Sequence, residues 1–217
     1  GVGERPERAR AVHARGGKSG WMAEQTAPKS RFDRRPGRRA MSWRLRLRER
    51  NAHTIFGAIG YELSKDGVGL IAATPWLTPL MAGAGFQLGP DPTSEQQEDI
   101  AFGHRIAREV SRLEIGQTVV VKDGTVLAVE GFEGTDDCLT RGGGLAGKNG
   151  GAVAVKIPKE KHDMRFDIPC IGLRTIETCI KSGVSVLALE AGRTLVLDRA
   201  EVAVLARRRK ISLLTCG

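Results

Sequence analysis

The sequence predicts an α/β fold: a mixed sheet with flanking helices and one β-hairpin, preceded by a disordered basic tail. Three observations carry this. From residue 51 onward, short apolar β-branched runs alternate with stretches of helical apolar spacing, the order expected of helices layered on a sheet. Asp123-Gly124 separates two of those runs, and such a dipeptide favours the tight turn of antiparallel strands. Residues 1–50 hold 15 of the 34 Lys/Arg but only 5 of the 25 Asp/Glu, so the net charge of +9 sits in that block and the remainder is near neutral.

Taken in order, residues 1–40 are rich in Arg, Gly, Ala and Pro without apolar periodicity, which predicts disorder. Residues 41–50 alternate apolar and basic side chains, a pattern shared by a short edge strand and the start of a helix. Ile55, Ile59 and Leu63 then mark one helix face, and Gly67 is placed to end that helix in the left-handed conformation. Val68 to Ala73 reads as a buried strand, and Thr74 to Gly85, with Pro75 and Pro79, as a loop with one helical turn.

Thr93 with Gln96 predicts a capped helix start. Ile100, Ile106, Val110 and Leu113 supply that helix's stripe, with Gly116 as its stop. The hairpin follows: Thr118 to Lys122, then Thr125 to Glu130. Residues 131–151 are glycine-rich and acidic, and Ala152 to Val155 is a strand ending at Lys156. Residues 157–170 read as irregular. Arg174 to Lys181 is a short helix closed by Gly183, and Val184 to Leu189 a strand ending at Glu190. Asp198 is placed to cap a helix over 199–209, and Ile211 to Leu214 is the last strand. This divides the chain into a basic tail or residual N-terminal region (1–50) and an α/β domain (51–217).

Several classes are excluded. No apolar run approaches the ~20 residues of a membrane span, and the first forty residues lack a signal-peptide core. Cys138, Cys170, Cys179 and Cys216 form no C-x-x-C pair, which argues against structural zinc. Reduced thiols are expected, with Cys170 and Cys179 buried as small apolar residues. Arg141-Gly-Gly-Gly144 is too loose for a dinucleotide fingerprint. No Ser-His-Asp spacing occurs, and His104 reads as a surface or packing residue. The basic block attracts nucleic acid or anionic lipid only at long range, so no specific nucleic-acid partner is expected.

Three constellations follow strand ends, where open α/β sheets place ligands. Glu130-Gly-Phe-Glu133-Gly134-Thr135-Asp136-Asp137 interleaves carboxylates, the oxygen donors magnesium prefers, with glycines. It reads equally as a solvated acidic turn in which Thr135 caps a helix. Lys156 to Pro169 carries Lys156, Lys159, Asp163, Arg165 and Asp167. That is a phosphate-pairing set with an Asp to bind metal or orient water, or else a charged surface loop. Gly172-Leu-Arg174-Thr175 at a helix start, with Glu190-Ala-Gly192-Arg193 after the next strand, suits a phosphate or ordinary turn-and-cap chemistry.

Several stretches together resemble the UDP-2,3-diacylglucosamine pyrophosphatases of lipid A biosynthesis. They are Ile115-Gly-Gln117-Thr-Val-Val-Val121, Ala128-Val-Glu130-Gly-Phe-Glu133-Gly134-Thr135-Asp136, Lys156-x-x-Lys159, Asp163-x-Arg165-x-Asp167-x-Pro169, Gly172-x-x-Thr175 and Glu190-Ala-Gly192. The resemblance covers residues 52–217 and corresponds to the C-terminal domain of that family. The stretch before it lacks the glycine-rich start of the family's Rossmann-like N-terminal domain, and Glu160 and His162 stand where the family pattern has proline and glutamine.

The resemblance implies magnesium-dependent cleavage of UDP-2,3-diacylglucosamine to UMP and 2,3-diacylglucosamine 1-phosphate. It implies a cytoplasmic location with transient contact with the inner membrane, and allows an oligomer. It casts Asp163 and Asp167 as catalytic, Glu133 and Asp136 as metal ligands, and Gln117, Thr135, Lys156, Lys159, Arg165, Thr175 and Glu190 as substrate contacts. The alternative is an inactive fragment that binds a nucleotide-sugar or a lipid phosphate.

Overall fold

The computed structural model describes residues 19–20, 52–158, 165 and 168–217. The chain divides into two units: Gly1–Trp76 with His162–Asp167, and Leu77–Lys161 with Ile168–Gly217. In chain order the described elements begin with β1 (Ser19–Gly20), α1 (Ala52–Lys65), β2 (Gly69–Leu70), α2 (Thr74–Leu77), a 3₁₀ turn (Thr78–Leu80), β3 (Gln87–Leu88), α3 (Ser94–Arg112), β4 (Thr118–Lys122) and β5 (Thr125–Val129). They continue with α4 (Thr135–Gly144), β6 (Ala152–Lys156), β7 (Cys170–Ile171), α5 (Leu173–Ser182), β8 (Val184–Glu190), β9 (Leu195–Val196), α6 (Arg199–Arg209) and β10 (Ser212–Cys216).

In the first unit, α1 ends as its sequence predicts. Gly67 is left-handed at φ 74°, and the Val68 and Gly67 amides donate to the Leu63 and Ser64 carbonyls, the paired bonds of a Schellman motif. The strand expected over 68–73 contracts to β2, which among the described residues pairs with β1. Ile71, inside the expected strand, is exposed. The remainder of the basic tail lies outside the described residues.

The second unit is built on a six-stranded sheet of order β3-β10-β8-β6-β4-β5. Strands β10, β8 and β6 run parallel, and β4, β5 and β3 are each antiparallel to their neighbours. The mixed sheet and its single hairpin are therefore as predicted. Both residues of the hairpin turn have positive φ, Asp123 at 49° and Gly124 at 70°, which is the twist a two-residue connection needs. Buried Asp99 of α3 accepts both turn amides, at 2.9 and 2.8 Å.

Consecutive strand residues feed opposite faces. Val119, Val121, Val153, Val155, Val186 and Ala188 pack with Ile100, Ala107 and Val110 of α3. Val120, Ala154, Leu187, Leu189 and Leu213 pack with Leu139 of α4, Ile176 and Cys179 of α5 and Val202 of α6. Burial on both faces explains why β4, β6 and β8 read as unbroken apolar runs. A separate two-stranded pair, β7 with β9, is too short for its alternation to show in sequence, and β3 is missed for the same reason.

The predicted capping box at Thr93 and Gln96 is present. At the far end of α3 the outcome differs. Leu113 is exposed, and Glu114 in the left-handed region, at φ 59°, turns the chain. Gly116 serves another purpose: a Cβ there would sit 2.0 Å from the Glu130 carbonyl oxygen. Asp198 occupies the N-cap position of α6 but makes no side-chain cap bond. Cys170, expected inside, is exposed, whereas Cys179 is buried as expected, because successive residues of β7 face opposite ways and Ile171 takes the core side.

The glycine-rich stretch 131–151 contains α4, where low helix propensity is overridden by packing. A Cβ on Gly142 would lie 2.6 Å from Cβ of Val120, and one on Gly143 would lie 2.3 Å from the Ser182 carbonyl oxygen. The glycine run seats α4 against β4 and the end of α5. Gly142→Ala should therefore destabilise the domain. Overpacking costs about 1–3 kcal/mol, and a β-carbon cannot rotate away, so the cost outweighs the ~1 kcal/mol gained in helix propensity. The urea midpoint is expected to fall with an unchanged m-value.

Candidate functional site

The carboxyl ends of β6 and β8 and the start of β4 lie at one edge of the sheet, since Lys156 pairs in register with Thr118 and with Leu189. Lys156 ends β6 with its side chain turned into the protein and is 5% exposed. An ammonium group placed there must be compensated. Its Nζ donates to Thr135 Oγ1 at 2.6 Å. Thr135 Oγ1 in turn lies 3.3 and 3.4 Å from the Glu130 carboxylate oxygens, to which it donates, and 3.3 Å from Thr118 Oγ1. Glu130 is 7% exposed and Thr118 fully buried.

Local sequence explains the assembly. Glu130 is the first residue beyond β5, and its amide donates to the Thr118 carbonyl, extending the hairpin by one bond. The close approach of Gly116 then fixes the Glu130 main chain. Gly134, at φ 91°, is the N-cap of α4 and carries no side-chain cap. Thr135 is thus the first helical residue rather than the cap, which leaves its hydroxyl to Lys156. The start of α4 brings the positive end of the helix dipole to the same place.

The other expected contacts are distributed around this core. Gln117 accepts the Ile157 amide through its main-chain oxygen at 2.8 Å, while its side-chain Oε1 is buried with no hydrogen-bond partner among the described residues. Thr175 is buried in the first turn of α5. Glu190, half-buried at the end of β8, accepts Arg193 Nη1 at 3.1 Å. His104 is half-buried, and its Nε2 lacks a partner among the described residues. Burial, and then the nearby Arg108, lower its pKa, while Glu190 opposes them. Lys159, Asp163 and Asp167 lie outside the described residues. Arg165 is described only as an exposed turn residue of the first unit.

The two carboxylates expected to bind metal are each engaged by an arginine. Glu133 Oε1 pairs with Arg141 Nη2, and Oε2 accepts the Gly131 amide at 3.0 Å. Burial alone would raise the Glu133 carboxyl, but the Arg141 and amide bonds together hold it below the usual range. Asp136 Oδ2 pairs with Arg174 Nε at 2.9 Å, which bridges the first turns of α4 and α5. Among the described residues no three His, Cys, Asp or Glu side chains gather into a metal-holding group.

Two members of the buried cluster were not singled out as site residues from sequence. Glu130 stood among neighbouring carboxylates with nothing to rank it, and Thr118 was one of several β-branched strand residues. The signal for both is their register: each sits opposite the other at the hairpin's open end.

Burial also sorts the thiols. Cys138 lies behind the cluster with Sγ 3.9 Å from the Thr118 carbonyl oxygen. Its pKa is pushed up to about 12, first by burial and then by Glu130. Cys179 is also raised to about 12, chiefly by burial. At pH 8 a thiol-specific reagent is expected to modify exposed Cys170 quickly, and Cys138 and Cys179 only after denaturation. Mass mapping of the labelled peptides gives the order.

Comparison with known proteins gives this geometry a family. The model of the LpxI C-terminal domain matches residues 83–214, a span that runs from before α3 into β10. The UDP-2,3-diacylglucosamine pyrophosphatase LpxI of Caulobacter vibrioides is 40% identical over 132 residues, covering 58% of this chain and 46% of that protein. The chain thus matches about half the length of that curated relative. Because the family match covers more than half of the chain, with all of the six-stranded sheet but the last two residues of β10 and with the buried Lys156, Thr135 and Glu130 cluster at its edge, the chain belongs to the LpxI C-terminal domain family.

Proposed function

We propose that this chain hydrolyses the pyrophosphate bond of UDP-2,3-diacylglucosamine, forming UMP and 2,3-diacylglucosamine 1-phosphate. Water adds across one P–O–P bridge, so each product keeps one phosphate. The observation that carries this reading is the buried Lys156 ammonium beside the uncapped start of α4. A fixed cation and a helix N-terminus, held together in a poorly solvated place, stabilise charge that develops on phosphate oxygens. The name of the Caulobacter relative supplies the substrate.

The roles assigned by resemblance complete the proposal. Asp163 orients or activates the attacking water, with Asp167 nearby in sequence. Lys159 and Arg165 offset pyrophosphate charge together with Lys156, and Gln117, Thr175 and Glu190 contact the nucleotide-sugar. A magnesium ion would come with the substrate phosphates and take one or two protein carboxylates, for which Glu133 and Asp136 are the sequence's candidates and Asp163 the alternative. Among the described residues no helix is long and apolar enough to cross a membrane. Transient contact of a cytoplasmic chain with the inner-membrane surface would suit a substrate with two acyl chains.

The test is UMP release from UDP-2,3-diacylglucosamine by the full chain. Release is expected with magnesium. EDTA and Asp163→Ala should each abolish it, and Lys156→Met should lower it by 10²-fold or more, the scale of losing one preorganised charge-stabilising group. Pyrophosphate or UMP binding by a folded chain without turnover would instead identify a binding module. Full turnover by Asp163→Ala would remove that residue from the chemistry.

A further inference from the structure

We infer that Glu130 is a positioning residue: its buried carboxylate accepts the hydrogen bond of the Thr135 hydroxyl and so sets the Lys156 ammonium for an anionic ligand. The inference rests on the proposed pyrophosphate site and adds a residue to it. Lys156 has only protons to give, and an ionised carboxylate has only lone pairs. Thr135 has a single hydroxyl proton. It accepts from Lys156 Nζ at 2.6 Å, so that proton must point elsewhere. The Glu130 oxygens at 3.3 and 3.4 Å receive it. Thr118, at 3.3 Å, then has its own proton available for the second Thr135 lone pair.

With the hydroxyl saturated in this way, Thr135 is an anchor for Lys156. One of the three ammonium protons is used by it, and among the described residues the other two meet no acceptor, which leaves them for phosphate oxygens. Remove the acceptor at 130 and the Thr135 proton must either take the Thr118 hydroxyl as its acceptor, at the cost of the bond Thr118 donates, or turn toward Nζ, where it repels the ammonium. Glu130 and Lys156 are both more than nine-tenths buried, so bulk water does not readily replace the lost partner.

A charge argument predicts the opposite. Glu130 is an anion near an anion site, and removing its charge should tighten phosphate binding through Coulomb's law. The two accounts differ in sign, and inorganic pyrophosphate is a sufficient probe. Titration calorimetry on the full chain, well below each variant's melting temperature, is expected to show Glu130→Met binding pyrophosphate about tenfold more weakly, the scale of one buried hydrogen bond to a charged group. Glu130→Gln keeps an acceptor oxygen and should recover most of that loss. Thr135→Val should weaken binding as much as Glu130→Met, and the double variant no further, because both interrupt the same relay.

Unchanged or tighter binding by Glu130→Met overturns the inference, as does full additivity in the double variant. If Glu130→Met does not fold, Thr135→Val against Thr135→Ser decides: Ser should restore binding, and equal binding by Val and Ser overturns it. Failure of the underlying site is recognised separately. Pyrophosphate binding that is absent in the unaltered chain, or undiminished by Lys156→Met, removes both the site and the role of Glu130.

Discussion

The structure of the site edge follows from one constraint, the burial of the Lys156 ammonium. Strand β6 runs through the middle of a sheet covered on both faces, so its last side chain enters the protein rather than water. A lone charge there would be expelled or neutralised. The remedy draws on three parts of the chain. The hairpin contributes Thr118 and Glu130 from its open end, α4 contributes Thr135 from its first turn, and β6 contributes the lysine. Glu130 and Thr135 are five residues apart, whereas Thr118 and Lys156 come from more distant parts of the chain.

That arrangement depends on how closely α4 lies on the sheet. The helix carries three consecutive glycines, a composition that would leave an isolated peptide unfolded. Gly142 and Gly143 give up helix propensity so that α4 can touch Val120 and the end of α5. A bulkier helix would ride higher on the sheet and draw the Thr135 hydroxyl away from Nζ. Gly116 plays the matching part on the hairpin side, where the chain passes against the Glu130 carbonyl. Small residues at three positions thus set distances within a polar cluster that none of them joins.

The legible parts of the sequence were those whose signals are local. The Thr93 capping box, the Asp123-Gly124 turn and the Gly183 stop each depend on a few adjacent residues, and all three appear as expected. The strands of the central sheet were legible because burial on both faces makes them continuously apolar. What could not be read depended on partners. The strand β2 pairs with β1, the short β3 with β10, and the exposure of Cys170 follows from Ile171 taking the core side of β7. Within the site, Lys156 and Thr135 were found because they lie in specific motifs. Glu130 and Thr118 were not singled out, since their importance lies in a cross-strand register and in the direction of one hydroxyl proton.

Charge placement separates attraction from recognition. The excess of positive charge lies in residues 1–50, and the remainder is close to neutral. Within the second unit, Arg207 to Lys210 are exposed at the end of α6 and the start of β10. Because β10 is parallel to β8 and β6, they stand at the opposite edge of the sheet from Lys156. Those four cations suit the negative end of their own helix and are screened by salt over about 10 Å. At the site edge the exposed arginines are already occupied: Arg141 by Glu133 and Arg174 by Asp136. A net-charge argument would look for anion binding where cations are most numerous. The buried lysine argues for the other edge, where the Lys156 ammonium is shielded from water, fixed by a hydroxyl whose proton is committed elsewhere, and set beside the start of a helix.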